Sequence, residues 1–219
     1  MPEPESHNMS IPDAPAFVGR GGVKLWHALH AFGIDVRGLV CADFGCSTGG
    51  FTDCLLRLGA ARVHSVDTAY GQLAWTLRND ERVVVHERTN ALHADAPEGG
   101  VDLVVIDMGW TRQHHAIPAA LRWLRPRGSV VTLVKPHYEL EASERGLLGS
   151  GGVLDERDAV RIVGRTLEAI DAIGSGAGAR TNAVCKSPVL GGAVGGKRKK
   201  GGAGAGKGNA EWVGWVVRG

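Results

Sequence analysis

Short, largely apolar runs alternate with segments of helical periodicity along most of this chain. Two of these runs, VDLVVID and GSVVTLVK, carry their charged residues at or near their ends and contain few other polar side chains. A strand without a regular alternation of polar and apolar residues is typical of a parallel sheet that is covered on both faces. The chain is therefore predicted to pack helices on both sides of a mostly parallel sheet.

The same alternation predicts the individual elements. We expect strands over residues 39–43, 62–67, 82–87, 102–107 and 129–135. We expect helices over residues 50–58, 71–79, 115–124 and 156–173, and the apolar spacing of GVKLWHALHAFGI predicts a short helix before the first strand. Elements in this order are typical of an open, doubly wound α/β sheet of the Rossmann-like class.

The C-terminal part of the chain departs from the alternation. TNAVCKSPV and AEWVGWVVRG have the composition of two strands with no helix between them, so we expect them to pair antiparallel at one edge of the sheet. Residues 191–208, between them, are rich in glycine and contain the basic run KRKK, which predicts a flexible loop. This run could contact nucleic-acid phosphates, or it could only keep the loop soluble.

Length and charge limit the class of protein. At 219 residues we expect one domain over residues 17–219, preceded by a proline-rich flexible arm over residues 1–16. The formal charge of +2 is too small to indicate a nucleic-acid binder by itself. No apolar run approaches the ~20 residues that span a bilayer. The four cysteines lack metal-site spacing, so we expect a cytoplasmic protein with no membrane contact and no metal site.

The turn after the first predicted strand reads DFGCSTGG, from Asp43 to Gly50. Ligands of open α/β sheets bind beyond the carboxyl ends of the strands, and glycines let a ligand approach the main chain. A Walker A loop is excluded because the turn has no lysine. A dinucleotide fingerprint is disfavoured because the acid ends the strand and the glycines are spaced more widely than G-x-G-x-x-G.

A second acid, Asp67, ends the next predicted strand. It lies ~20 residues downstream of the glycine turn, where a ribose-binding carboxylate is expected. With Asp43 beside the turn, we favour S-adenosylmethionine, whose sulfonium and amino group suit an acidic site. The alternative is a tight turn with two exposed acids and no ligand.

Five motifs occur in order within a match that runs from about residue 17 to residue 218. They are GRGGVKL, DFGCSTGGFTDCLL, VDTAYGQLAWTLRNDERVVVHERTN, DLVVID and LVKP. Together they resemble the FtsJ-type ribose methyltransferases, above all the TlyA-like branch of rRNA methyltransferases and hemolysins. The resemblance implies a class I methyltransferase fold, S-adenosylmethionine as cofactor, and methylation of a ribose 2′-hydroxyl of RNA. The expected partner is ribosomal RNA or a ribosomal subunit.

The resemblance also implies a catalytic set of two lysines and two acids. Its members fall on Lys24 in RGGVKL, Asp107 in DLVVID, Lys135 in LVKP and Glu211 in GNAEW. A ribose hydroxyl is a poor nucleophile, so its proton must be removed or its oxygen steered. A lysine serves as base only if burial or a second ammonium lowers its ordinary pKa of ~10.4. Lys135 is the candidate base or steering group. Taken alone, Lys24 and Glu211 could be solvated surface charges, whereas Asp107 and Lys135 end predicted strands at the edge where ligands bind.

The candidate cofactor-binding residues share the turn or the neighbouring strand ends. They are Asp43, Gly45, Cys46, Ser47, Gly49, Gly50, Phe51, Asp67, Asn90 and Asp107. The aromatic residues Trp110 and Tyr138 flank the site and could stack on a base or pack in the core.

Three features depart from the resemblance. TlyA-like proteins carry an N-terminal RNA-binding module, for which the residues before Phe17 are too few, so we expect recognition by this domain, the basic loop or a partner. The sequence MGWTRQHH after Asp107 is unusual for the family, and the insertion before GNAEW makes the placement of Glu211 depend on how the loop returns. The alternative function is a catalytically idle, cofactor-binding RNA-binding or assembly protein. A membrane-active hemolysin lacks support because no long apolar or basic amphipathic segment occurs.

Overall fold

Seven strands form a single sheet. The computed structural model describes residues 13–149, 151–191 and 208–219. The strands are β1 (Val40–Phe44), β2 (Arg62–Val66), β3 (Val83–His86), β4 (Val101–Ile106), β5 (Leu124–Val134), β6 (Ala179–Lys186) and β7 (Trp212–Arg218). Their order across the sheet is β3-β2-β1-β4-β5-β7-β6, and neighbours from β3 to β5 are parallel. The predicted mostly parallel sheet is confirmed.

Helices cover both faces of this sheet, as expected. They are α1 (Gly21–Phe32), α2 (Gly50–Arg57), α3 (Trp75–Arg78), α4 (Gln113–Trp123) and α5 (Glu156–Ser175). Leu25 of α1 and Leu55 of α2 belong to the core on one face, whereas Ile117 of α4 and Ile170 of α5 belong to the core on the other. Helices cover β1–β5 on both faces, and this explains why their sequences show almost no alternation of polar and apolar residues.

The strand order reverses direction at β1. The chain runs outward from β1 through β2 to β3, and then crosses to β4 on the other side of β1. The loops that follow β1 and β4 therefore diverge and leave a crevice at the carboxyl ends of the strands. This crevice is where the sequence predicts the cofactor turn.

Two predicted elements differ in length. The helix expected over residues 71–79 is reduced to α3, because Ala74 is extended and its amide donates to the carbonyl of Thr48 at 3.1 Å. Strand β5 begins five positions earlier than expected, at Leu124, with Arg127 in the left-handed region (φ 64°) and the register with β4 shifting between Val101 and Leu103.

The two C-terminal strands pair antiparallel at one edge of the sheet, as predicted. Strand β7 also pairs antiparallel with β5, so β7 lies inside the sheet and β6 forms the edge. Most of the predicted loop over residues 191–208 and most of the predicted arm over residues 1–16 lie outside the described residues. The division of the chain into an arm and a domain stays a prediction.

Across residues 13–149, 151–191 and 208–219, no helix combines the length and the apolar character that crossing a membrane requires.

Candidate active site

A cleft of about 860 Å³ opens at the carboxyl ends of β1, β2 and β4. One wall is the segment before α1, from Val18 to Gly21, and the floor is the turn between β1 and α2. The loops after β2, β3 and β4 supply the remaining walls, with Asp67 on one side and Asp107 on the other. The cleft therefore lies at the point where the strand order reverses.

Asp43 is the penultimate residue of β1, lies at the floor of the cleft and is completely buried. Its Oδ2 accepts hydrogen bonds from the amide and the hydroxyl of Thr52, at 2.9 and 2.7 Å. Its Oδ1 has no partner among the residues that the structure describes. Burial, together with the negative charges of Asp107 and Asp67, raises the pKa of Asp43 to about 7, although the Thr52 hydrogen bonds oppose this rise. The unpartnered Oδ1 of Asp43 is suited to a cationic ligand.

The glycine turn is held tightly against its neighbours. Gly45 has a positive φ of 84°, and a Cβ there would come within 2.8 Å of the Asp107 carbonyl oxygen. A Cβ on Gly50 would come within 2.9 Å of the Gly22 nitrogen, so the turn lies directly against the start of α1. Gly49 lies beneath the turn, where a side chain would overlap Leu77. The glycines thus allow three segments of backbone, the turn, the start of α1 and the end of β4, to meet around the cleft.

Asp67 is oriented by main-chain donors at the end of β2. Its Oδ2 accepts from the amide of Ser47 at 2.8 Å, and its Oδ1 accepts from the amide of Ala69 at 2.8 Å. Each carboxylate oxygen can accept a further hydrogen bond. Asn90 also lines the cleft, and its Oδ1 accepts from the amide of Leu92 at 3.0 Å.

Nine of the ten predicted cofactor residues line the cleft. They are Asp43, Gly45, Cys46, Ser47, Gly50, Phe51, Asp67, Asn90 and Asp107, whereas Gly49 lies below it. Their proximity agrees with the predicted site, and their binding role stays a prediction.

The four predicted catalytic residues form two ion pairs beside the cleft. Lys24 Nζ lies 2.5 Å from Glu211 Oε2, and Lys135 Nζ lies 2.5 Å from Asp107 Oδ1. Lys24 and Asp107 line the cleft, and Glu211 and Lys135 lie next to it as their respective partners. Each pair therefore presents one charged group, of opposite sign, to the cavity.

Glu211 reaches Lys24 because the two ends of the insertion meet. The amide of Gly191 donates to the carbonyl of Asn209 at 2.8 Å. The amide of Ser187 donates to the carbonyl of Glu211, also at 2.8 Å. The Glu211 carboxylate packs on Gly191, where a Cβ would overlap it. Glu211 is only 2% exposed, so its charge is met by Lys24 and not by water.

The turn that carries Lys135 is tied to α4. Glu139 Oε1 accepts from the amide of Gln113, the first residue of α4, at 2.9 Å. The side chain of Gln113 in turn accepts from the Thr132 hydroxyl at 2.7 Å. Burial raises the pKa of Glu139, against the effect of that amide and of neighbouring arginines. These bonds hold the end of β5 in a fixed position relative to α4.

Two aromatic residues lie next to Lys135. The Trp110 ring lies 4.9 Å from the Tyr138 ring, and Lys135 Nζ lies 5.9 Å from the centre of the Tyr138 ring. Trp110 is 75% exposed and has a positive φ of 63°, so core packing is wrong for it. Tyr138 is half-buried.

Sequence reasoning missed the segment from Val18 to Gly21 and the buried His137, which follows Lys135 at a distance of two residues. The glycine pair in RGGVKL was a usable signal, since Gly21 and Gly22 bring α1 against Phe51 and Phe17. His137 gave no signal in the sequence beyond its position next to LVKP.

Within the described ranges, no group of three or more histidine, cysteine, aspartate or glutamate side chains has a geometry suited to a metal ion.

The chain matches known proteins over most of its length. The sequence profile described as FtsJ-like methyltransferase matches residues 17–189. The 16S/23S rRNA (cytidine-2′-O)-methyltransferase TlyA of Mycobacterium tuberculosis is 49% identical over 143 residues, which are 64% of this chain and 52% of that protein. The chain thus spans about half the length of this curated relative.

Solved structures agree with the fold. A candidate hemolysin of Streptococcus thermophilus superposes with a TM-score of 0.78 at 32% identity, covering 94% of this chain and 68% of that one. An S-adenosylmethionine-dependent methyltransferase of Mesorhizobium loti, at 18% identity, has a TM-score of 0.60 and covers 91% of this chain and 100% of that one. The second likeness shows the fold alone, which is that of class I methyltransferases.

Proposed function

The chain belongs to the FtsJ-like methyltransferases, and from that premise we propose that it methylates the ribose 2′-hydroxyl of RNA with S-adenosylmethionine as methyl donor. The observation that carries the proposal is the arrangement of two lysine–carboxylate pairs at the edge of the cleft. We further propose that residues 17–219 act as the methyltransferase domain.

The residues of the cleft fit this cofactor. The unpartnered Oδ1 of buried Asp43 suits the amino group of the methionine part, because a buried carboxylate gains most from a cationic partner. Asp67, fixed by the amides of Ser47 and Ala69, suits the two ribose hydroxyls. Asn90, which also lines the cleft, would contact the adenine ring. When bound, S-adenosylmethionine supplies an electrophilic methyl group on a positively charged sulfur.

Lys135 is the residue that acts on the target hydroxyl. Asp107 Oδ1 holds Lys135 Nζ at 2.5 Å, which keeps the nitrogen next to the cleft that Asp107 lines. From there it donates to the 2′-oxygen and steers it, or takes up the hydroxyl proton when the amine is neutral. Lys24, held by Glu211, is the positive group that lines the cleft and binds the ribose. Correct placement of the oxygen supplies a large part of the acceleration.

Ribosomal RNA is the substrate that we favour. The Mycobacterium tuberculosis relative is named for cytidine 2′-O-methylation of 16S and 23S rRNA. The exposed Trp110, beside the Lys135–Tyr138 contact, offers a flat apolar surface on which an unstacked base can lie. Such a substrate places the protein in the cytoplasm.

The proposal is tested in two steps. Calorimetry with S-adenosylmethionine measures whether the cleft binds the cofactor, and transfer of tritiated methyl groups is then measured on naked rRNA and on isolated ribosomal subunits. We expect micromolar-range binding and labelling of at least one RNA preparation. Which preparation is labelled, the naked rRNA or the isolated subunits, identifies the form of the substrate.

The alternative, an idle cofactor-binding protein, predicts binding without labelling of any preparation. The two intact ion pairs do not favour this alternative. A buried ion pair adds little stability over well-packed apolar side chains, so an idle site gains nothing from keeping both pairs.

A further inference from the structure

His137 is a buried histidine that none of the roles above uses. It is the middle residue of the short 3₁₀ turn Pro136–Tyr138, two positions after Lys135, and is 6% exposed. Its Nδ1 is enclosed and has no hydrogen-bond partner among the residues of the described ranges. Leaving a buried polar nitrogen unpaired costs stability. A pairing partner that arrives only during the reaction would explain why the cost is tolerated.

Two lysines from different elements lie near His137. Lys135 precedes it in the same segment and Lys24 comes from α1. Each lysine is paired with a carboxylate, Asp107 just after β4 and Glu211 just before β7. Burial and the positive charges of both lysines lower the pKa of His137 to about 4. The ring is therefore neutral at physiological pH and offers one lone pair to its cationic neighbours.

The hydrogen bonds of Lys135 leave room for such a partner. Its ammonium group has three N–H donors. One is directed at Asp107 Oδ1, at 2.5 Å, and another reaches the carbonyl of Met108 only at 3.3 Å. The contact with Met108 is long, and it is the bond most easily exchanged when a ribose oxygen enters.

Building on the proposed function, we propose that His137 is a positioning residue for methyl transfer. Its Nδ1 accepts an N–H of Lys135 once the target ribose has entered, so that Lys135 Nζ remains directed at the 2′-oxygen. His137 lies too deep to touch the substrate and acts through Lys135 alone.

The test compares His137→Leu with His137→Asn in steady-state methyl transfer. Leucine fills the space without a polar atom, whereas the asparagine amide reaches the place of Nδ1. We expect kcat to fall about tenfold in His137→Leu, the loss of one hydrogen bond to a charged group. The KM for RNA and the Kd for S-adenosylmethionine should stay within twofold, and His137→Asn should recover most of kcat.

His64 provides a matched control. It is 7% exposed, and burial together with positive neighbours lowers its pKa to about 4, yet its Nδ1 is paired with His86 Nε2 at 3.1 Å and it lies away from the cleft. His64→Leu should leave kcat unchanged.

Wild-type kcat in His137→Leu, or a loss that asparagine does not recover, overturns the inference. If His137→Leu fails to fold, His137→Ala replaces it, and failure of both to fold assigns His137 to the core and refutes the positioning role. A wild-type chain that binds the cofactor but methylates no RNA refutes the proposed function itself, and the inference with it.

Discussion

The two halves of the cleft are built in different ways. In the cofactor half, Asp43 and Asp67 end neighbouring strands, and their carboxylates are held by main-chain amides and a hydroxyl close by in the sequence. In the catalytic half, each lysine is paired with an acid from a distant element, and Lys24 and Glu211 are 187 positions apart. Local backbone geometry thus makes an acidic binding site, and long-range ion pairs make the edge where chemistry occurs. Substitutions in the two halves should therefore separate binding from turnover.

The largest expected effect belongs to the catalytic half. Lys135→Ala should lower kcat roughly a thousandfold, the size expected for a residue that moves or steers the reacting proton. The Kd for S-adenosylmethionine should change less than twofold by calorimetry. Lys186→Ala is the matched control, since Lys186 also pairs with a glutamate, Glu156, but at the surface. Retained turnover in Lys135→Ala would remove the distinction between the two halves.

The second effect belongs to the cofactor half. Asp43→Asn should weaken S-adenosylmethionine binding by about 10–100-fold, because a hydrogen bond to a charged partner is worth about 1.5–3 kcal/mol. At saturating cofactor, kcat should be close to that of the wild type. The same substitution should raise the melting temperature of the free protein at pH 8, since it removes a charge that burial disfavours. Unchanged affinity would contradict the role given to Asp43.

A third substitution probes how the insertion supports the catalytic half. Gly191→Ala places a methyl group where the Glu211 carboxylate lies, so the pair with Lys24 must shift. We expect about a tenfold lower kcat, from the disturbed buried pair, with an unchanged Kd for the cofactor. Gly146→Ala, whose added Cβ would meet nothing within 4 Å, serves as the control. A larger effect on cofactor binding than on turnover would show that the two halves are not separable.

The smallest effect is a pH dependence confined to the cofactor half. The pKa of Asp43 is raised to about 7 in the free protein, so the carboxylate that attracts a cation is lost as the pH falls below that value. The Kd for S-adenosylmethionine should rise about threefold from pH 7.5 to 6.5, and binding should release protons. Calorimetry in buffers of different ionisation enthalpy measures both. The dependence should be absent in Asp43→Asn.

The sign for stability is opposite to that for binding. Because the folded-state pKa of Asp43 lies above its unfolded value, its contribution to stability is full below pH about 4 and is lost as the pH rises through about 7.

The cofactor half could be predicted from the sequence because its signals are local. A glycine turn after an apolar strand, and an acid at the end of the next strand, identified Asp43 and Asp67 and the crevice between them. The shortened α3 was missed because the amide of Ala74 bonds to Thr48 across the turn, a long-range contact that helical periodicity does not contain.

The catalytic half could not be derived in the same way. No spacing rule joins Lys24 to Glu211; only the resemblance named them together, and the return of the insertion through Gly191 decides whether they meet. His137 was missed for the same reason, because its importance depends on an unpaired nitrogen and on two lysines from different elements. Such information exists only after folding.

The central claim is that the ion-paired edge directs methyl transfer to a ribose oxygen. The most direct test digests RNA that the purified protein has methylated to nucleosides and identifies the product by mass spectrometry. We predict a nucleoside that carries the methyl group on its 2′-oxygen, made by the wild type and absent with Lys135→Ala. A methyl group on the base, or labelled RNA from Lys135→Ala at the wild-type rate, would contradict the account.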